Sequence, residues 1–215
     1  VVPDARTAIR PPQQERSRTS FERVLRAARE LLEEEGYSSF TLARVSERAG
    51  VSIGAIYARA PSKDALFYAV HARVMGELAA EHDRLMGGDA NDALSTWELV
   101  VNMVRRFAQP FRSHAAFLRV VMHRGAVDEE LASFGSVVAH AEAQSFCDAI
   151  LCRRNDIAHA DPELAVDVAY RMVYCTLARQ VMYGPTFESP RYVAWDDLVD
   201  ELGRAAATYL LGRGE

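Results

Sequence analysis

The chain has 215 residues and a formal net charge of -5, with 49% hydrophobic and 26% charged residues. That length buries a substantial core and fits one large or two small domains. There is no run of about 18 apolar residues to cross a bilayer and no signal-peptide pattern, so the expected location is cytoplasmic.

The acidic total conceals an uneven distribution. Residues 16–63 carry nine Lys and Arg against six Asp and Glu, while residues 64–215 carry 14 against 22. The basic excess therefore sits near the N-terminus, where a nucleic-acid surface would need it. Three cysteines, Cys147, Cys152 and Cys175, are an odd number without metal-ligand spacing and read as buried free thiols. No metal or cofactor is expected.

Residues 1–18 hold Pro3, Pro11 and Pro12, a Gln pair and several Arg, and read as a disordered arm. A first helix is predicted from Thr19, with Thr19 and Glu22 as a capping box. Phe21, Val24, Leu25, Ala28, Leu31 and Leu32 recur at spacings of three and four and give it one apolar stripe. Gly36 ends it, and Tyr37 and Phe40 fill the following corner.

The stretch Thr41–Lys63 organises the N-terminal part. Thr41 is the expected N-cap of a second helix, whose Leu42, Val45 and Ala49 share a face and which Gly50 stops. Val51 plugs the turn, and Ser52 caps a third helix from Ile53 to about Arg59. Pro61 stops that helix and Ser62 caps the next. Two short helices joined by a glycine-containing turn form the helix-turn-helix pattern, whose second helix enters the major groove.

A long fourth helix is predicted from about Lys63 to Met86, ended by Gly87-Gly88. The rest is helical by period: Asp92–Gln109, broken by Pro110; Ser113–Arg124, capped by Ser113 and ended by Gly125; Asp128 to about Asn155. Asp161, Pro162 and Glu163 then open a helix to Tyr183, and a last one spans Asp196–Leu211. The predicted fold is all-α, with about nine helices and no strand alternation. The expected division is a disordered arm at 1–18, a helix-turn-helix DNA-binding domain at 19–67 and a ligand-binding and dimerisation domain at 68–215.

The 41–63 stretch resembles the TetR family of bacterial transcriptional regulators (TetR/AcrR-like). The family pattern has a Thr opening the second helix, a small residue in its middle, Gly-Val at the turn and then Tyr-x-x-Phe-Pro-x-Lys. Thr41, Ser46, Gly50, Val51, Tyr57, Pro61 and Lys63 match in register. Ala60 departs from it, standing where an aromatic is usual. Lys63, the only lysine in the chain, falls where the family uses one. The resemblance is specific over about residues 20–67 and extends weakly to the nine-helix layout.

The resemblance implies a ligand-responsive regulator, a repressor that binds a palindromic operator as a homodimer and is released by a small apolar or aromatic effector. The expected DNA-binding residues are Thr41, Arg44, Ser52, Ile53, Gly54, Ala55, Tyr57, Arg59 and Lys63. Ile53 and Ala55 can meet a thymine methyl, and Gly54 permits close approach. Tyr57 and Lys63 suit phosphates, Arg59 suits a phosphate or a guanine edge, and Arg44 can reach the backbone or the groove edge. One head offers few contacts, so a two-fold dimer is expected. The 161–183 helix is apolar on more than one face, and with the last helix it forms the expected interface.

Trp97, Met103, Phe107, Phe111, Phe117, Met122, Phe146, Tyr170 and Tyr174 form a candidate effector pocket. His114, His123, Gln144 and Tyr174 are its candidate polar groups. No nucleophile elbow, phosphate loop or paired metal-binding histidines appears, so no enzymatic activity is expected. The alternative is a helical dimer that binds a small molecule or protein and carries a vestigial DNA-binding head.

Overall fold

The computed structural model describes residues 15–86 and 93–212, all of its regular structure helical. The chain divides into two compact units, at Ala79 and Ala80. Among the described residues no helix is long and apolar enough to cross a membrane.

The first unit contains α1 (Glu15–Ser39), α2 (Leu42–Ala49), α3 (Ile53–Tyr57) and most of α4 (Lys63–Met86). Its core joins Val24, Ala28, Leu31 and Leu32 of α1 to Phe40, Val45 and Ile56, and to Leu66, Phe67, Val70 and Val74 of α4. The α1 members are the predicted stripe residues, because three- and four-residue spacing places them on one helical face.

Helix α1 starts at Glu15, so residues 15–18 of the expected arm are helical and Thr19 lies inside the helix rather than capping it. Glu22 instead pairs with Arg73 of α4. Residues 1–14 of the arm lie outside the described residues, as does the predicted Gly87-Gly88 stop. Gly36 interrupts helical geometry as expected, with φ 75°.

The second unit holds the remainder of α4, α5 (Thr96–Ser113), α6 (Ala115–Gly125), α7 (Glu129–Leu151), α8 (Pro162–Tyr183) and α9 (Trp195–Leu211), with a 3-10 turn at Arg154–Asp156. Its core packs Leu99, Met103 and Phe107 of α5 with Phe146 and Ile150 of α7, Val173 and Leu177 of α8, and Ala207 and Leu210 of α9.

Boundaries in this unit differ from the sequence reading, and α7 ends at Leu151 rather than near Asn155. Ser95 and Glu98 form a capping box, so α5 starts there rather than at Asp92. Pro110 sits inside α5, where it removes one helical bond without ending the helix. Ser113 therefore ends α5, and His114 precedes α6 without a side-chain cap. The cysteines also differ: Cys152 and Cys175 are exposed and Cys147 is partly buried. Cys147 packs against the edge of the core, and Cys152 lies just past the end of α7.

Candidate nucleic-acid interface

The α2–α3 corner is built from local bonds. The Thr41 side chain accepts from the Arg44 backbone N–H at 3.3 Å, which starts α2. Gly50 ends α2 in the left-handed region at φ 60°, a conformation that costs other L-residues about 1–2 kcal/mol. The Ser46 hydroxyl donates to the Val51 carbonyl at 2.7 Å and ties α2 to the turn. Arg23 of α1 donates to the Gly50 carbonyl at 2.9 Å, holding the turn against the first helix. A small residue at position 46 thus has a structural purpose.

Ser52 caps α3 by accepting from Ala55 N–H at 3.3 Å. The helix spans five residues and stops earlier than predicted. Approaching Pro61, Arg59 and Ala60 both donate their N–H to the Ile56 carbonyl, at 2.9 and 2.8 Å, which tightens the exit. Arg59 therefore lies just beyond α3. Its guanidinium is 5.3 Å from the centre of the Phe21 ring.

Ile56 is completely buried and anchors α3. The opposite side faces out: Ser52, Gly54 and Ala55 are exposed, Ile53 is 42% exposed and Tyr57 52%. Tyr57 is therefore no core residue. Ala60 is completely buried, so the departure from the family pattern falls in the core of this unit and not on its surface.

The basic residues are not bare. The Nη1 and Nη2 groups of Arg44 both donate to the Glu35 carboxylate, and Arg44 also donates to the Ser39 carbonyl at 3.2 Å. These bonds hold the Glu35 carboxyl below its ordinary range. Arg48 donates to Glu34 at 2.7 Å. The Lys63 ammonium lies 4.2 Å from the centre of the Tyr37 ring and 3.4 Å from the Ser38 carbonyl. The Ser62 side chain accepts from Ala65 N–H at 3.0 Å and starts α4 beside it. Sequence reasoning missed the acidic partners, although the run Glu33-Glu34-Glu35 was visible.

In the second unit, Phe107 contacts Phe111, Phe146 and Tyr170 with centroids 5.5, 5.8 and 5.5 Å apart. Tyr174 continues the group, 5.8 Å from both Phe111 and Tyr170. Met103 is buried in the same core, and Trp97 and Met122 pack against it. Phe117 is buried as well. Of the expected polar groups, His114 bonds Glu81 at 3.2 Å, Gln144 bonds Asp148 at 2.8 Å, and His123 meets the Tyr183 ring. Among the described residues no cluster of three His, Cys, Asp or Glu could hold a metal.

The corner Leu42–Tyr57 has the geometry of a helix-turn-helix DNA-binding protein: a capped α2, a left-handed glycine turn and a short α3 with its first turn exposed. Residues 24–70 match the model for bacterial regulatory proteins of the tetR family. Over those residues the chain is similar to that family of DNA-binding transcriptional regulators. Solved structures share the whole fold. A TetR-like transcriptional regulator from Rhodococcus sp. RHA1 aligns with TM-score 0.61 at 18% identity, over 95% of this chain and all of that one. A second Rhodococcus RHA1 regulator of the tetR family gives 0.68 at 14%, over 91% and 98%. GusR of Salmonella enterica gives 0.59 at 20%, over 90% and 95%. No curated protein matches the chain.

Proposed function

We propose that the protein is a ligand-responsive repressor that binds a palindromic operator as a homodimer and is released by a small organic effector. The observation that carries the DNA-reading part is the outward first turn of α3. Ser52, Ile53, Gly54 and Ala55 offer a small, mostly apolar surface to a groove, with Tyr57 exposed at the end of the same helix. Such a surface reads methyl groups and DNA shape more than bidentate hydrogen-bond patterns. Arg44, Tyr57, Arg59, Lys63 and Thr41 are the assigned backbone contacts, and the N-terminus of α4 adds backbone donors beside Lys63.

The dimer reading is supported by the outer side of α8. Leu164 is 59% exposed and Met172 42%, with Val168 half-buried between them. The inner side of the same helix buries Ala165, Ala169, Val173 and Leu177 in the core. A helix apolar on both sides calls for a second partner, and a second copy supplies the same stripe across a two-fold axis.

The effector reading rests on the aromatic group of the second unit. Effector binding there shifts the separation of the two heads through α4, which runs from the first unit into the second. Complete switching requires about 5.5 kcal/mol of differential affinity. A gel shift on DNA flanking the protein's own gene tests the proposal. A sequence-preferring, salt-sensitive complex with dimer stoichiometry is the expected result. Its absence would favour a helical binding protein with a vestigial head.

A further inference from the structure

Glu142 stands on α7, three residues after Ala139 and four before Phe146, so the three share a helical face. Both neighbours show what that face meets. The Tyr170 hydroxyl donates to the Ala139 carbonyl at 2.9 Å, and the Phe146 and Tyr170 ring centroids are 5.7 Å apart. Glu142 is therefore set against the Tyr170 turn of α8. It is near enough that its charge helps raise the pKa of both Tyr170 and Tyr174, after burial, the largest cause for each. Tyr174 and Phe111 extend the ring row.

Two polar groups at this place lack partners. Among the described residues, no hydrogen bond or ion pair reaches the Glu142 carboxylate, and no hydrogen bond reaches the Tyr174 hydroxyl. Both residues are only partly buried. Burial alone pushes the Glu142 carboxyl up to about 7. A carboxylate withdrawn from water without a cation is costly, and aromatic faces attract positive charge. The same neighbourhood repels an anionic ligand and gives a purely apolar one no use for the carboxylate.

We propose that the effector is an organic cation, a protonated amine on an apolar body, with its ammonium between Glu142 and Tyr174 and its body against the partly exposed Tyr174 ring. This rests on the reading that the second unit binds an effector, and it names that effector's charge.

The test is calorimetric titration of the full chain at pH 8, where Glu142 is ionised, with three matched probes: 4-phenylbutylamine, 4-phenylbutanol and 4-phenylbutanoate. The amine should bind about tenfold or more tighter than the alcohol, and the carboxylate most weakly. Glu142→Gln should lower amine affinity about tenfold and leave the alcohol within about twofold. On the unsubstituted chain, lowering the pH to 5.5 should weaken the amine but not the alcohol. An amine that binds no tighter than the alcohol, or that is indifferent both to Glu142→Gln and to pH, overturns the proposal. The gel shift is scored separately. Salt-sensitive DNA binding without amine preference overturns this proposal and leaves the regulator reading standing. Amine preference without DNA binding supports the site and removes the regulator reading.

Discussion

The Arg44 guanidinium is held by both oxygens of the Glu35 carboxylate, which joins α2 to the C-terminal end of α1. An arginine assigned to a DNA phosphate is thus neutralised in the free protein. Both side chains are solvent-exposed, so the pair contributes little to stability and can exchange for a phosphate. Glu35→Gln should free Arg44 and remove a negative charge from the DNA face. DNA affinity should rise a few-fold at low salt, with little change in melting temperature. A filter-binding series at several salt concentrations checks this.

Gly203 of α9 lies so close to α5 that an added Cβ would stand 3.3 Å from both Cα and Cγ1 of Val101. One of those atoms is backbone and cannot swing aside. Gly203→Ala should therefore destabilise the second unit by about 1–3 kcal/mol, read as a lower urea midpoint. An unchanged midpoint would mean that α5 and α9 separate easily.

Glu142 gives a pH dependence with a defined sign. Its carboxyl is raised from an ordinary 4.5 to about 7, so the folded chain keeps the proton longer than the unfolded one. Stability relative to Glu142→Gln should be fullest below about pH 4.5, decline between 4.5 and 7, and level off above. A gap of that size corresponds to about 3 kcal/mol at most, reduced by the solvent contact the side chain retains. Urea unfolding of both proteins across this range gives the curve. A constant difference would place Glu142 in water.

The outer α8 stripe predicts the effect of charge on assembly. Leu164→Glu with Met172→Glu adds like charges facing their own copies across a two-fold axis. Sedimentation should show a folded monomer with far weaker operator binding. An intact dimer would move the interface elsewhere.

The first unit was largely legible in the sequence because its signals are local. Thr41, Gly50, Ser52 and Ser62 act on backbone groups within a few residues, and each does what its position implied. The apolar stripe of α1 was equally readable. The errors came where tertiary contacts compete. Thr19 looked like a cap, yet α1 begins earlier, and Glu22 answers Arg73 across 51 residues. Pro110 looked like a stop, but α5 continues through it. The acidic partners of Arg44 and Arg48 stand 9 and 14 residues away in sequence, beyond any helical spacing. Glu142 was invisible for the same reason, since its isolation depends on what α8 brings beside it.

In the proposed function the first unit grips DNA chiefly through its phosphates while α3 reads the groove. The most direct measurement is the salt dependence of affinity for the flanking DNA, compared between the unsubstituted chain and Lys63→Ala. Lys63→Ala should bind every sequence more weakly, with the logarithmic salt slope reduced by about one per lost phosphate contact in each head. Unchanged affinity and slope in Lys63→Ala would contradict it.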